Sequence, residues 1–245
     1  MINTVILLTA CVNPDGMAFT KLNDAEIRKQ QYVDAIMFYL LNTSVRIVFV
    51  ENTECDLSSN FQSYIHEGRL EMMNFQGNKY NRSIGKGYGE ALIIKYALEN
   101  SCFLKGNTIV VKITGRHKCM NINNVLAKCN DVNTLYAVLA KDSIRICCDS
   151  KIFISPVQFL RDFFLPRLNE LNDSNHRYFE HLLYDTGKQW LYNGHKFKEI
   201  WFFIKIKGIS GSSNIEYKIN WQKRLSFYLH YILHHIGYYG TIKIW

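Results

Sequence analysis

The stretch that decides the fold is residues 4–12, TVILLTACV, an apolar run rich in β-branched residues that ends at the turn sequence NPDG of residues 13–16. Apolar residues follow at a helical period over residues 24–41, and a second apolar run occupies residues 45–50. Such runs suit strands that are buried on both faces, as in a parallel sheet. The order strand, helix, strand therefore predicts a βαβ unit, with which an α/β nucleotide-binding fold begins.

Strands and helices continue to alternate along the chain. Further strands are predicted at residues 70–75, 108–113, 134–139, 144–148 and 198–207, and further helices at residues 90–100, 121–129, 157–171, 176–184 and 221–239. Pro166 is expected to kink or break the helix in which it lies. We expect residues 1–217 to form an α/β domain with a mostly parallel central sheet flanked by helices. Residues 218–245 are expected to form a basic, amphipathic C-terminal helix and tail.

The composition excludes several classes of protein. The 245 residues include 29 Lys and Arg against 21 Asp and Glu, a net charge of +8. This charge predicts attraction to an anion, such as a nucleotide phosphate, a nucleic acid or an acidic membrane face. No apolar run approaches the roughly 18–20 residues that span a bilayer, which excludes an integral membrane protein. The seven cysteines form no CxxC pair, so we expect reduced thiols in a cytoplasmic protein.

A glycine-rich segment, GKGYGE at residues 85–90, is expected where a helix begins. Its glycines let backbone amides approach an anion, the helix N-terminus adds positive potential, and Lys86 adds a full charge. These features predict a diphosphate cradle that includes Gly85, Lys86 and Gly87. The alternative is a flexible loop with a helix cap, because the segment matches neither a Walker A loop nor GxGxxG.

Two cations bracket Thr114 and Gly115 at the end of a predicted strand, namely Lys112 and Arg116. Ligands of open α/β sheets collect beyond the carboxyl ends of the strands. There the two cations could stabilise a departing diphosphate electrostatically. The alternative is a pair of solvated surface charges.

Two carboxylates are candidates for the same crevice. Asp149 follows a predicted strand and could hold a sugar hydroxyl or contribute to a site for Mn²⁺ or Mg²⁺, although the chain has no Asp-x-Asp pair and a hard cation recruits several oxygen ligands. Glu180 lies beside His181 on an aromatic-rich predicted helix and could act as a general base. The alternative for Glu180 is an ordinary position on a surface helix.

The C-terminal segment combines an apolar stripe with basic residues. Residues 218–245 contain no acidic residue. The stripe consists of Leu225, Leu229, Ile232, Leu233 and Ile236. Such a helix packs on the core, forms a homodimer interface, or lies on a membrane surface.

Seven segments, taken together, resemble a family of small bacterial glycosyltransferases that act in capsule and O-antigen assembly. They are residues 9–14, Glu51-Asn52, residues 85–90, KITGR at 112–116, CDS at 148–150, YFEH at 178–181 and GISG at 208–211. Their order and spacing span most of the chain. His117 departs from the family pattern, in which Tyr follows the Gly-Arg pair.

The resemblance implies a GT-A-like fold and, as in some members, transfer of galactofuranose from UDP. It implies that the donor nucleotide lies against Thr9, Asn13 and Glu51, and that Lys86 and Arg116 lie near the diphosphate. It further implies an acceptor near Glu180, with contacts from His181, Ser210 and Gly211.

The resemblance leaves metal use open. Many GT-A enzymes hold a divalent ion with Asp-x-Asp, a pair that is missing here. We favour a site that requires no metal or other cofactor, in which Lys86 and Arg116 supply the counter-charge of the diphosphate. The alternative is a divalent metal held by Asp149.

The leading functional hypothesis is an inverting glycosyltransferase, or hexosyltransferase, at the cytoplasmic face of the cell membrane. It would move a sugar from a nucleotide-diphosphate donor, with UDP favoured, to a lipid-linked saccharide acceptor. One alternative is a non-catalytic basic α/β module that binds nucleic acid, which we do not favour because the aromatic residues fall in apolar runs rather than on a basic stripe. Another is a nucleotidyl- or phosphotransferase, which the missing carboxylate pairs for magnesium disfavour.

Overall fold

The computed structural model describes residues 2–14, 20–143, 145–211, 214–217 and 219–236. Within these ranges the strands are β1 (Asn3–Ala10), β2 (Arg46–Glu51), β3 (Leu70–Asn74), β4 (Thr108–Thr114), β5 (Lys118–Cys119), β6 (Thr134–Lys141), β7 (Ile146–Pro156), β8 (Lys196–Glu199) and β9 (Ile206–Lys207). The helices are α1 (Ala25–Asn42), α2 (Gln62–His66), α3 (Lys86–Asn100), α4 (Ile122–Leu126), α5 (Val157–Phe159), α6 (Phe179–Tyr192) and α7 (Trp221–His235).

A seven-stranded sheet in the order β3-β2-β1-β4-β7-β6-β8 forms the centre of the fold. Strand β7 runs antiparallel to both of its neighbours, whereas the other pairings in this sheet are parallel. Strands β5 and β9 form a separate antiparallel pair. The predicted α/β architecture, a mostly parallel sheet flanked by helices, is therefore confirmed.

Strand β1 shows why the opening apolar run decides the fold. Val5 and Leu7 point into the core on one face of the sheet, and Ile6 and Leu8 point into the core on the other face. Side chains alternate along a strand, so a strand buried on both faces requires a continuous apolar run. The first helix agrees equally well with the sequence, since the Asp24 carboxylate accepts a hydrogen bond of 3.0 Å from the Ile27 N–H and caps α1.

Helix α3 begins earlier than the sequence predicts, at Lys86 rather than at residue 90. The glycines of GKGYGE therefore lie at its N-terminus, and close packing explains why they are glycines. A Cβ atom on Gly87 would lie 3.3 Å from Phe179, and one on Gly89 would lie 2.4 Å from the Tyr80 hydroxyl. Residues that we expected to form a loop are thus the first turn of α3, and their neighbours leave little room for side chains at the two glycines.

Two other predicted strands differ from the structure. The strand predicted at residues 144–148 continues to Pro156, since residues 146–148 and 153–154 pair with β6 and residues 152–156 pair with β4. Asp149 therefore lies inside β7 and not at a strand end. The strand predicted at residues 198–207 is divided into β8 and β9.

The helix predicted at residues 157–171 is broken, as Pro166 led us to expect. Helix α5 is followed by a π-helical turn over Leu160–Phe164 and a 3-10 turn over Leu165–Glu170, in which Pro166 lies at the start. Proline supplies no N–H for the continuing α-helical ladder. The break turns the chain toward Asp173, which lies in the short 3-10 turn Asp173–Asn175.

Helix α7 contacts the segment between β8 and β9, where the Phe203 and Phe227 rings meet edge-on with centroids 5.8 Å apart. The predicted helix reaches residue 239, of which residues 237–239 lie outside the described residues. Among the described residues, no helix combines the length and apolar character needed to cross a membrane. The division at residue 217 stays a prediction.

Candidate functional site

A cavity of about 540 Å³ opens where the carboxyl ends of β1 and β4 meet the N-terminal ends of α3 and α6. Nine of the fifteen candidate site residues line it, namely Thr9, Lys86, Gly87, Thr114, Arg116, Asp149, Glu180, Ser210 and Gly211. The other six are not part of its lining and are Asn13, Glu51, Gly85, Lys112, Gly115 and His181. The glycine segment, the strand-end arginine and the candidate base therefore share one cavity, although they come from distant parts of the sequence.

Glu51 lies beneath the cavity and not in its lining. Its fully buried carboxylate accepts hydrogen bonds from the backbone N–H groups of Val12 at 2.8 Å, Thr53 at 2.8 Å and Cys55 at 2.9 Å. The Asn13 N–H donates to the Thr53 hydroxyl in the same network, at 3.2 Å. In this structure both residues join the loop after β1 to the loop after β2. Direct donor contact by Asn13 and Glu51 stays a prediction.

Gly115 lies where two backbone segments approach each other closely. Its N–H donates to the Thr9 carbonyl oxygen at 2.9 Å, and a Cβ atom on Gly115 would lie 2.8 Å from that oxygen. Any side chain would push β1 away from the turn that follows β4. The glycine of the KITGR segment thus fixes where Thr114 and Arg116 enter the cavity.

Lys112 has an internal partner that the sequence did not reveal. Its ammonium group is fully buried, forms an ion pair with the Glu90 carboxylate and donates to the Ser150 carbonyl oxygen at 2.7 Å. The Thr9 hydroxyl donates to the same Glu90 oxygen at 3.0 Å. The positive charge that we expected to face a diphosphate is therefore compensated by Glu90, a cavity residue at the end of GKGYGE.

An internal carboxylate also occupies the N-terminus of α3. Asp173 is buried and accepts a hydrogen bond of 3.3 Å from the Gly87 N–H. A Cβ atom on Gly85 would lie 2.2 Å from the Asp173 carboxylate. The glycine segment does bind an anion, as its sequence predicts, but in this structure the anion is a side chain of the same chain. Lys86 nevertheless lines the cavity.

Burial raises the pKa of the Asp173 carboxyl, and the negative charge of Glu180 raises it further. The Gly87 N–H and the Lys86 charge act in the opposite direction. Since Asp173 follows a broken helix and has no local motif, its position 86 residues from Gly87 could not be inferred from sequence.

Arg116, which is charged, and His117 form the part of the wall next to the loop at residues 208–211. Arg116 is 7% exposed, and its Nη1 donates to the Ile209 carbonyl oxygen at 2.8 Å, while its buried Nε has no acceptor among the described residues. His117 is buried. Burial holds the pKa of its imidazole well below the usual value, and the charges of Arg116 and Lys151 lower it further. The ring is therefore neutral at pH 7.

Glu180 lies in the first turn of α6 and accepts a hydrogen bond of 2.5 Å from the Ser150 hydroxyl. This contact fixes the orientation of the carboxylate at the cavity wall, where a general base must lie close to an incoming hydroxyl. The segments CDS and YFEH, which we noted separately, thus meet through Ser150 and Glu180.

Asp149 forms an ion pair with Lys151 and also accepts a hydrogen bond of 2.9 Å from the Lys151 N–H. Within the described part of the chain, no group of three or more His, Cys, Asp or Glu residues is placed to hold a metal ion. The oxygen ligands that Mg²⁺ or Mn²⁺ requires are therefore not assembled around Asp149. A metal at Asp149 stays a prediction.

His181 does not line the cavity but contacts Asp142, which does. Its Nε2 lies 2.6 Å from the Asp142 carboxylate, and its Nδ1 lies 3.1 Å from the His176 carbonyl oxygen. The ring thus joins the start of α6 to the turn between β6 and β7. A direct acceptor contact by His181 stays a prediction, whereas Ser210 and Gly211 both reach the cavity.

The solved structures to which this chain is similar share little sequence with it. No protein-family model matches the chain, and no curated protein matches it in sequence. Among solved structures, it is similar to S. aureus TarS 1-349 in complex with UDP, with 10% identity and a TM-score of 0.46 over 95% of this chain and 72% of that chain.

Two further matches are the glycosyltransferase GlyE of Streptococcus pneumoniae and the inositol-1-phosphate CTP transferase of T. maritima. The first has 9% identity and a TM-score of 0.48 over 82% of this chain and 45% of that chain. The second has 11% identity and a TM-score of 0.45 over 92% of this chain and 94% of that chain. Similarity at this level does not establish a family or an activity.

The contact between Asp173 and the start of α3 can be tested by substitution of Gly85. Gly85→Ala is expected to lower the free energy of unfolding by at least about 2 kcal/mol, because the φ of 96° disfavours a side chain and the new methyl group would meet the Asp173 carboxylate. Gly106→Ala is the matched control, since Gly106 has a φ of 61° and no atom within 4 Å of its Cβ position. That control should lose only about 1 kcal/mol. Equal losses in urea unfolding would contradict the collision with Asp173.

Proposed function

We propose that this chain is an inverting glycosyltransferase that moves a sugar from a nucleoside-diphosphate donor to a saccharide hydroxyl. The observation that carries the proposal is the cavity at the carboxyl ends of β1 and β4, which Arg116, Lys86 and Glu180 line together. Cations and a candidate base in one cavity meet the two requirements of the reaction, a counter-charge for the leaving group and an acceptor for a proton.

In the proposed reaction, the acceptor oxygen attacks the anomeric carbon from the side opposite the diphosphate. Glu180 takes the proton of that hydroxyl, and the Ser150 hydroxyl orients the carboxylate. The bond between the anomeric carbon and the diphosphate oxygen breaks, and the diphosphate leaves with the bonding electron pair. Arg116 and Lys86 stabilise the charge that develops on it, which lowers the barrier because that charge is larger in the transition state than in the bound donor.

UDP is the proposed donor nucleotide and galactofuranose the proposed sugar, on the basis of the sequence resemblance. The proposed acceptor is a lipid-linked saccharide of surface-polysaccharide assembly. The buried His117 ring, where the family pattern has Tyr, lies in the cavity wall beside Arg116. Its neutral state avoids a further cation in the wall.

The role of Glu180 as base can be tested with Glu180→Gln. The amide cannot accept the acceptor's proton, so turnover should fall by about 10²–10⁴-fold, while the affinity for UDP and the melting temperature stay close to those of the parent protein. Glu99→Gln is a suitable control, because Glu99 is exposed on α3 and pairs only with Lys95 at 4.0 Å. Retained turnover would remove Glu180 from the base role. Joint loss of stability and turnover would indicate that Glu180 is structural.

The donor class and metal use can be tested together by thermal shift. Nucleoside diphosphates and nucleotide sugars are added to the protein with Mn²⁺ or with EDTA. A ligand that binds the folded protein raises its melting temperature, and the rise grows with the ratio of the ligand concentration to the dissociation constant. Because cationic side chains line the cavity and Asp149 pairs with Lys151, we expect UDP and UDP-sugars to raise the melting temperature equally in both conditions. A shift that requires Mn²⁺ would instead support a metal at Asp149. Binding of random RNA, with no response to nucleotides, would contradict the proposal.

Helix α7 would bring the enzyme to its lipid-linked acceptor. The side chains of Leu225, Leu229 and Ile232 are 51%, 51% and 54% exposed and lie on one face at helical spacing. Lys223 and Arg224 precede most of this stripe on the same helix. Apolar residues beside cations suit the surface of an anionic membrane.

This membrane contact can be tested by sedimentation with vesicles of phosphatidylcholine that contain phosphatidylglycerol. The parent protein should sediment with the vesicles, and the double variant Leu225→Ser and Leu229→Ser should not. Each substitution removes an apolar side chain that would enter the membrane surface. Leu41→Ser is the matched control, since Leu41 is even more exposed, at 69%, but lies on α1. If the stripe is a homodimer interface, the double variant will instead become monomeric in velocity sedimentation without vesicles, and vesicle binding will be unchanged.

A further inference from the structure

Two buried guanidinium groups meet beside the same glycine of the cavity wall. Arg28 comes from α1 and Arg116 from the turn after β4, and they are 5% and 7% exposed. A Cβ atom on Gly211 would lie 2.7 Å from Nη2 of Arg116 and 3.7 Å from Nη1 of Arg28. Both arginines and Gly211 line the cavity. The three residues are called the guanidinium cluster below.

Neither arginine contacts a carboxylate among the described residues. Arg28 donates to the Cys11 carbonyl oxygen through Nε at 2.8 Å and Nη2 at 2.5 Å, and to the Leu22 carbonyl oxygen through Nη1 at 3.1 Å. Arg116 donates to the Ile209 carbonyl oxygen, and its buried Nε has no acceptor in the described part of the chain. Both side chains are thus held in place by neutral oxygens, which leave their charges uncompensated.

Several other buried or half-buried cations of this chain have acidic partners. Lys112 pairs with Glu90, and Lys151 pairs with Asp149. Arg177 lies 2.6 Å from Asp185. The guanidinium cluster departs from this pattern inside the cavity where the proposed reaction needs a counter-charge.

Two neighbouring cations removed from water repel each other and lose hydration, so their burial is unfavourable until an anion arrives. A diphosphate supplies both the negative charge and several acceptor oxygens. Guanidinium groups suit it because their N–H donors bind phosphate oxygens in pairs. The cluster therefore has the chemistry of a diphosphate site, whereas the amides at the start of α3 already hold Asp173.

We propose that Arg28 and Arg116 together bind the diphosphate of the donor, and that Gly211 keeps the space between them open. The inference adds Arg28, a residue that neither the sequence motifs nor the resemblance assigns, and it rests on the proposed function only for the identity of the complete donor. Binding of a bare diphosphate tests it without reference to sugar transfer.

The test compares the affinity of the whole chain for inorganic pyrophosphate and for UDP by calorimetry at low and moderate salt. Arg28→Gln should weaken both ligands by about 10-fold or more, as expected for a lost charged hydrogen bond, and should reduce the salt dependence of binding. Arg28→Lys should fall between the parent and Arg28→Gln, because it keeps the charge but loses the paired donors.

Arg69→Gln is the matched control. Arg69 also donates to a backbone carbonyl oxygen, that of Thr43 at 2.8 Å, and its buried Nε likewise has no acceptor among the described residues, but it does not line the cavity. It should bind pyrophosphate as tightly as the parent. The Arg28→Gln variant loses the contacts with Cys11 and Leu22, and if it does not fold, Gly211→Ala provides the test. The added methyl group would fill the space beside Arg116 and should weaken the binding of pyrophosphate to a similar extent.

A folded Arg28→Gln variant with parental pyrophosphate affinity would overturn the inference, as would a parent protein that binds no pyrophosphate. Failure of the proposed function has a different signature. Pyrophosphate binding would then depend on Arg28 while no sugar was transferred. Sugar transfer that is unaffected by Arg28→Gln would reject the role of Arg28 alone.

Discussion

The ion pair between Lys112 and Glu90 is the constraint around which the cavity is built. A fully buried ammonium group is strongly unfavourable without a nearby negative charge, so Glu90 has to reach β4 from α3. This requirement fixes the start of α3 against β1 and β4, and the Thr9 hydroxyl and the Ser150 carbonyl oxygen complete the contacts. The glycine segment must then lie at the helix N-terminus, close to Asp173. The floor of the cavity and the position of its glycines thus follow from one buried charge.

The fold could be read from the sequence because its determinants are local. A strand buried on both faces needs a continuous apolar run, as in β1, and the Asp24 cap marks the start of α1 within one residue. Boundaries were wrong where distant partners decide them. The register between β6 and β7 shifts after Ala137, so Asp149 lies in β7 between the segments that pair with β6 and β4. Helix α3 begins at Lys86, where Gly87 and Gly89 pack closely against Phe179 and Tyr80.

The site was predicted only in part for the same physical reason. A glycine-rich helix start signals that an anion is bound, but its local sequence is the same whether that anion is a ligand or Asp173, 86 residues away. Similarly, a lysine and an arginine on either side of Thr114 look equivalent in sequence. In the structure Lys112 is neutralised by Glu90, whereas Arg116 contacts only neutral oxygens of the described residues. Arg28 gave no signal at all, because on α1 it resembles any other helical arginine.

The distribution of charge in the cavity therefore matters more than the net charge of +8. The charge of Glu180 raises the pKa of Asp173 and the charge of Lys86 lowers it, so cations and carboxylates are mixed on this side of the cavity. The guanidinium cluster contacts no carboxylate of the described residues, and its two positive charges attract a diphosphate. In the proposed function the diphosphate therefore binds at the arginines, and the Glu180 carboxylate remains available to take the proton of the acceptor hydroxyl.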